Sequence, residues 1–308
     1  MDRPDPTPAR PTRLRMARSG LRRYPRELLR SLLGYEHPAA EPGVPVDPQS
    51  ARHELAAVWL GHATVLLRLG GMWIMTDPVL SSRIGVKIAG RVFGVGRMPG
   101  ATFEIDRLPR IDLVLISHAH FDHLDRPTLR RLAAAHTHVV TAERTRRLIP
   151  RGFGKVQELA WQAKHVLRGI SVRAIRPVHW GARSAFDRRR GYNSYLLEGG
   201  GRTVLFAGDT AFTRAFDDLG QIDLAIFGIG AYEPWEHQHA TPEQVWRMFV
   251  ASGARALMPV HHSTYPLSDE PIDEPMQRLL AAAGDQAYRI VGSRAGDLWV
   301  DSAEPPQA

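Results

Sequence analysis

The residues of this chain best equipped for chemistry are its 14 histidines, and they are unevenly spread. The densest group is Ser117-His118-Ala119-His120-Phe121-Asp122-His123, with three imidazoles and a carboxylate in six positions. A turn carrying that set can converge on two neighbouring metal ions. Imidazole and carboxylate donors without thiolate suit zinc, manganese or iron(II). A solvated histidine run would be interleaved with lysine or arginine, whereas this one contains neither and follows the apolar stretch Leu113–Ile116. Further candidate ligands also follow apolar stretches: His179 in His179-Trp180, Asp209 in Gly208-Asp209-Thr210, and the pair His261-His262. Singly, His179 or His261 reads equally well as a hydrogen-bonded structural histidine, and Asp209 as a helix cap. Together with residues 118–123 they form a set that structure alone does not explain.

Ligands gathered from distant positions need rigid elements to hold them, and strand ends of an α/β fold supply that. From about residue 54 the chain reads as short apolar strands. Residues 56–60, 65–69 and 72–76, with Gly61 and Gly70-Gly71 as turns, predict a β-meander. Further strands are expected at 113–116, 139–140, 171–175, 195–197, 203–206, 224–227 and 256–260. Helices are expected at 127–135, with proline in the first turn, and at 143–148, 242–250 and 274–283. Strands in local groups with helices between the later ones predict an α/β protein with mixed sheets.

The 308 residues fit one large domain, 54–302, between a basic Pro/Arg-rich tail (1–53) and a short C-terminal tail (303–308). The absence of cysteine excludes disulfide scaffolds, thiolate zinc sites and cysteine nucleophiles. No apolar run approaches the ~18–20 residues of a membrane-spanning helix, so a soluble, cytoplasmic protein is expected. Of the net charge of +8, residues 1–35 carry +6, from nine arginines against Asp2, Asp5 and Glu27. The body therefore carries only +2, too little for the basic stripe that nucleic acid demands, and nucleic acid is not the expected partner. In the tail, Leu21, Leu28, Leu29, Leu32 and Leu33 lie beside arginines, but Pro25 breaks the pattern. A partly disordered tail is the expectation, and a basic segment on an anionic membrane the alternative. Between Asp77 and Phe103 there is no acidic residue, and Arg83, Lys87, Arg91 and Arg97 alternate with Ile84, Val86, Ile88, Val92, Phe93 and Val95. That stretch reads either as a loop meeting a lipid surface or an acylated phosphate, or as a solvated loop covering a sheet.

His118-x-His120-x-Asp122-His123, followed by His179, Asp209 and His261 at spacings of 56, 30 and 52, resembles the ligand series of the metallo-β-lactamase superfamily. Over about residues 55–285 the chain is similar to that superfamily's N-acylphosphatidylethanolamine-hydrolysing phospholipase D branch. The motifs concerned are Trp59-Leu60-Gly61-His62-Ala63-Thr64, Thr76-Asp77-Pro78, Ser81-Ser82-Arg83, Leu108-Pro109, Gly230-Ala231-Tyr232-Glu233-Pro234, Gln238-His239 with Pro242-Glu243, and His261 with Thr264. Sugar-phosphate lactonases of the superfamily share part of this pattern.

The resemblance implies a four-layer αβ/βα sandwich of two mixed β-sheets flanked by helices, with two divalent ions, Zn2+ first and Mn2+ or Fe2+ as alternatives. One ion falls to His118, His120 and His179, and the other to Asp122, His123 and His261, with Asp209 bridging. The His261-His262 pair leaves room for a slip by one, and Thr264 favours His261. Asp122 and His239 take catalytic roles, while His62, Asp77 and His262 support the ligands. Arg83, Arg97, Arg183 and Tyr232 are substrate-binding candidates, and Arg188 to Arg190 add charge near His179. A metal-activated hydroxide would attack phosphorus in line. The expected substrate is a phospholipid or other phosphorylated small molecule, with peripheral membrane contact and a homodimer as further expectations. A lactone-type polar substrate is the second reading and a nuclease the third.

Overall fold

The computed structural model describes Pro25 and residues 29–32, 52–89, 91–183, 187 and 189–301. Most of the tail 1–53, Arg188 and the whole C-terminal tail 303–308 therefore lie outside the described residues. In chain order the elements are β1 (Leu55–Trp59), β2 (Val65–Leu69), β3 (Met72–Thr76), β4 (Arg83–Ile88), β5 (Arg91–Gly96), β6 (Leu113–Ile116), α1 (Arg126–Leu132) and β7 (His138–Ala142). There follow β8 (Lys155–Leu159), β9 (Lys164–Leu167), β10 (Ile170–Ile175), β11 (Ser194–Gly199), β12 (Arg202–Phe206), β13 (Leu224–Gly228), α2 (Pro242–Ala251), β14 (Ala256–Val260), α3 (Glu274–Ala283) and β15 (Leu298–Val300).

Two mixed sheets follow from this pattern, a seven-stranded one in the order β15-β1-β2-β3-β6-β7-β8 and a six-stranded one in the order β14-β13-β12-β11-β10-β9. In each, an antiparallel meander gives way to parallel strands: β3-β6-β7-β8 in the first, and β12-β13-β14 in the second. The tight β2–β3 hairpin needs left-handed backbone at both turn residues, Gly70 (φ 51°) and Gly71 (φ 79°).

Strand alternation sorts the core into layers. Leu55, Ala57 and Trp59 of β1 and Leu113 and Leu115 of β6 join Val172, Tyr195, Leu197, Phe206 and Ile226 in the core between the sheets. The opposite-parity residues Val58, Leu66, Val114 and Ile116 pack with Leu129 and Leu132 of α1. On the second sheet, Leu196, Leu205, Ala225 and Phe227 pack with Val245, Met248 and Phe249 of α2 and Leu279 of α3. Helix, sheet, sheet and helix are thus stacked as the four-layer αβ/βα sandwich.

Local sequence sets the helix ends. The Asp125 carboxylate accepts from Thr128 N–H ahead of α1, and Thr241 with Gln244 forms a capping box on α2. Three sequence expectations are corrected. Residues 143–148 form no helix: β7 extends to Ala142, and only the 3-10 turn Arg146–Leu148 follows. The first helix stops at Leu132, short of residue 135. Finally, residues 83–96 are a two-stranded antiparallel hairpin, β4–β5, and not a loop.

Candidate metal centre

Every principal site residue leaves the C-terminal end of a strand: His62 after β1, Asp77 after β3, His118 to His123 after β6, His179 after β10, Asp209 after β12 and His261 after β14. Both sheets aim those ends at one edge of the sandwich, so residues up to 199 positions apart (His62 to His261) meet there. The turns are tight enough to force left-handed backbone on non-glycine residues, with φ of 50° at His62, 32° at Asp77 and 62° at His261. Such conformations cost of order 1–3 kcal/mol each and persist only where surrounding contacts fix them. Here the contacts are explicit: His62 N–H donates to Thr264 Oγ1 (2.7 Å), and His261 N–H to the His62 carbonyl (2.9 Å). Gly208, immediately before Asp209, has φ 58°, and a Cβ there would lie 2.9 Å from the Ser117 Cβ.

Asp209 stands at the centre. Its Oδ2 lies 3.0 Å from His123 Nε2, 3.7 Å from His179 Nε2 and 3.8 Å from His118 Nε2, while its Oδ1 lies 3.4 Å from His261 Nε2. Asp122 Oδ2 lies 3.0 Å from His62 Nε2, 3.3 Å from His261 Nε2 and 3.5 Å from His123 Nε2. Among the described residues four donor groups have ligand atoms within 4.8 Å of one another: the four-residue sets His118/His120/His179/Asp209 and His62/Asp122/His123/His261, and the overlapping three-residue sets Asp77/His118/His123 and Asp209/His239/His261. Tetrahedral ligands about 2.0–2.1 Å from a zinc ion sit roughly 3.3–3.5 Å apart, so both four-residue sets are of the right size.

These residues fit a metal on a further count. The buried Nε2 atoms of His123, His179 and His261 have no hydrogen-bond partner despite facing carboxylates. Orphaned buried donors and acceptors are costly unless something else satisfies them. For two of the three the other nitrogen is held from outside: His179 Nδ1 meets the Gln238 carbonyl (3.1 Å), and His123 Nδ1 meets Asp77 Oδ2 (2.6 Å). That is the arrangement that fixes a ligand's tautomer and aims the free nitrogen at a cation.

Electrostatics prepare the same state. Burial, reinforced by neighbouring imidazoles, holds His118 well below its ordinary pKa. Burial likewise holds His179 well below it, against the pull of Asp209. It lowers His120 to about 4 and His62 to about 3. Burial would raise Asp122 and Asp209, but the facing imidazoles, His123 first, hold both carboxyls well below the usual range. Among these imidazoles only His123, raised well above its ordinary value, and His261, raised to about 9, go the other way: burial opposes them, but Asp209 and Asp122 outweigh it; burial also raises the Asp77 carboxyl, against the pull of His123. Neutral imidazoles around ionised carboxylates are the protonation state a cation requires, and at His123 and His261 a cation would replace a proton.

The remaining sequence candidates separate into two groups. His239 belongs at the centre, its ring centroid 5.1 Å from His179 and 5.4 Å from His261, with Nδ1 3.9 Å from Asp209 Oδ2. His262 instead packs its ring 4.5 Å from Trp59 and pairs Nδ1 with Ser263 Oγ, so His261 is the member of the pair that meets the carboxylates. Arg183 donates to the carbonyls of Ala119 (3.0 Å) and Leu124 (2.8 Å) and lies over the Phe121 ring, clamping the ligand loop.

Three substrate-binding candidates are otherwise engaged. Arg97 donates to the carbonyls of Leu60, Val79 and Ala101. Arg83 holds Ser31 Oγ and the Gly94 carbonyl, and Tyr232 donates to Glu274 Oε1 (2.8 Å). The contacts Arg97–Leu60, Arg83–Ser31 and Tyr232–Glu274 join elements 37, 52 and 42 positions apart, so the motif gave no sign of them. Sequence reasoning also assigned no role to Ser117 or Tyr265. Ser117 donates from both N and Oγ to Asp77 and pairs with His118 Nδ1, and Tyr265 packs edge-on 5.3 Å from His62. The position of Ser117 beside His118 at a strand end was the one available signal. A cavity of about 170 Å³ opens beside His261, bordered by Met98, Leu267, Ile272 and Glu270.

A four-layer sandwich with His/Asp clusters able to hold metal at the strand ends is the metallo-β-lactamase fold, and the family and relatives that follow make the chain a metal-dependent hydrolase. The chain belongs to the β-lactamase superfamily domain family, whose profile matches residues 72–262. It is 32% identical over 272 residues to an uncharacterised protein of Mycobacterium tuberculosis, covering 80% of this chain and 70% of that one. It is 30% identical over 272 residues to N-acyl-phosphatidylethanolamine-hydrolyzing phospholipase D 1 of Caenorhabditis elegans, covering 80% and 75% respectively. Among solved structures, the metallo hydrolase Igni18 of Ignicoccus hospitalis superposes with a TM-score of 0.61 at 18% identity, over 81% of this chain and 99% of that one.

Proposed function

We propose that this hydrolase cleaves the phosphodiester of an N-acylated phosphatidylethanolamine-type phospholipid, yielding phosphatidic acid and an N-acylethanolamine. The observation that carries the reading is Asp209 set between two histidine groups, in a chain 30% identical to a phospholipase D of that specificity. The surroundings support a substrate with apolar parts: Trp180, 47% exposed, has its ring 4.8 Å from His120, the adjacent Val178 is 43% exposed, and Met98, Leu267 and Ile272 border the cavity beside His261. A closed polar pocket would have favoured a lactone.

Divalent ions held by the two groups would make a water molecule acidic enough to ionise near neutral pH and would neutralise charge on a phosphoryl oxygen. The chain's own residues do the rest. Asp122, ionised and braced by His62, stands within reach of the centre to accept a proton from the attacking water. Burial lowers His239 to about 4, so it is neutral at pH 7 and offers a hydrogen bond, not a stored proton, to the departing oxygen. His179 and His123 are kept in fixed orientation by Gln238 and Asp77.

The test is mass-spectrometric product analysis with N-acylphosphatidylethanolamine in detergent, using zinc- or manganese-loaded protein and His120→Ala as control. Release of N-acylethanolamine and phosphatidic acid, absent in the control, is the expected result. No turnover by verified metal-loaded protein would overturn the lipid assignment and direct the search to small phosphorylated or lactone substrates.

A further inference from the structure

The hairpin β4–β5 belongs to neither main sheet and forms its own two-stranded sheet. Its register pairs Ile84 with Val95, Val86 with Phe93, and Ile88 with Arg91, so these side chains share one face. Along that face burial falls away steadily. Ile84 (4% exposed) and Val95 (6%) pack with Val79 and Tyr265 at the base, while Val86 is 50% and Ile88 58% exposed toward the tip. The base is tied to the metal centre, because the Tyr265 ring meets His62. At the tip Arg91, paired with Ile88, is exposed on that same face, and Lys87, of the other parity, is exposed on the opposite face. Beside the hairpin, helical residues 29–32 are held through Ser31, which bonds Gly94 and Arg83. On that turn Leu29 and Leu32, three positions apart and each 56% exposed, lie on one side.

Two exposed aliphatic side chains, Val86 and Ile88, in a stretch (78–102) with cations and no acidic residue, and two more, Leu29 and Leu32, beside them, define what can cover the face. A second copy of the chain would bring the same positive charge. Nucleic acid would find phosphate partners but nothing for Val86 and Ile88 to stack against, since aliphatic chains do not replace aromatic platforms. An anionic bilayer meets both requirements: aliphatic groups enter the headgroup–acyl boundary while lysine and arginine stay among the phosphates.

We infer that the β4–β5 hairpin, with Leu29 and Leu32 beside it, is a docking element for an anionic phospholipid surface, holding the metal-bearing edge near the bilayer. The inference rests on the phospholipid reading of the site and adds the surface from which that substrate would be taken.

Co-sedimentation of the full-length, metal-loaded protein with phosphatidylcholine vesicles, with and without phosphatidylglycerol, tests it. Partition into the anionic vesicles is expected, and Val86→Glu/Ile88→Glu should reduce it at least about tenfold, given the apolar area left exposed on both side chains. Lys87→Ala/Arg91→Ala should reduce it about fivefold per residue and flatten its salt dependence. All variants should keep wild-type metal content and wild-type hydrolysis of a soluble phosphodiester such as bis(p-nitrophenyl) phosphate. Unchanged vesicle partition in the double glutamate variant would overturn the inference. So would self-association that this variant abolishes without any vesicle binding, which would assign the face to a second copy. Hairpin-dependent vesicle binding without lipid turnover would support the docking surface while sinking the phospholipase reading. Turnover of detergent-dispersed lipid without vesicle binding would do the reverse.

Discussion

Replacing Asp77 by asparagine should weaken metal binding without touching any residue that points at the metal. Asp77 is fully buried, and its carboxylate accepts from Ser117 N–H (2.6 Å), Ser117 Oγ–H and His123 Nδ1–H (2.6 Å). An asparagine keeps one acceptor oxygen, which can serve Ser117 N–H. Its NH2 then faces His123 Nδ1–H, setting donor against donor, and the negative charge that fixes the His123 tautomer is gone. One charge-assisted bond is worth about 1.5–3 kcal/mol, which corresponds to a roughly 10–100-fold loss in metal affinity, the range seen when such supporting partners are removed elsewhere. Competition against a chromophoric chelator measures the affinity, and thermal unfolding of the metal-free protein measures any separate loss of stability. The expected outcome is a one- to two-decade loss in affinity. Wild-type affinity and activity in Asp77→Asn would refute the idea that Asp77 sets the direction of His123.

Two other perturbations are equally direct. Arg183→Met should remove both bonds to the ligand loop and, with the discount appropriate to a half-buried guanidinium, lower metal affinity about tenfold, while Arg183→Lys should retain only part of the lost affinity; unchanged metal titrations for both variants would reduce Arg183 to a surface residue. His262, lowered to about 3 chiefly by burial, stays neutral in the folded protein but titrates near 6.5 when unfolded. Below about pH 6.5 the unfolded chain therefore binds the extra proton, and stability falls as pH falls. Between about pH 7.5 and pH 5.5 this amounts to about 1.4 kcal/mol, so His262→Gln should lose that much less stability than wild type in paired urea titrations. Equal pH slopes would show that His262 is not held neutral.

Much of the fold was legible because its signals are local. The meander over residues 55–76, with its glycine turns, and the buried strands ending at Ile116, Phe206 and Val260 follow from short apolar runs and punctuation. The helix expected at 143–148 failed because Arg144, just after β7, takes left-handed backbone (φ 61°), which interrupts a right-handed helix and leaves the 3-10 turn at Arg146–Leu148. The hairpin at 83–96 was missed because its alternation was read as a loop's mixture of charge and apolarity, whereas pairing gives each parity its own face.

Residue type and spacing were enough to name the donor set: His118, His120, Asp122 and His123 sit within one strand-end turn, and no cysteine competes with them. The tertiary structure alone decided which side chains share a centre and which serve the scaffold. It turns His261 toward Asp122 and Asp209 but His262 onto Trp59, because left-handed backbone at residue 261 sends adjacent side chains in opposite directions. It brings His62 to Asp122 across 60 residues, and commits Arg97 to the Leu60 carbonyl and Tyr232 to Glu274 at the start of α3. Residue type and local spacing specify what a side chain can do. Its partners depend on sheet register and long-range turns, which no short window of sequence contains.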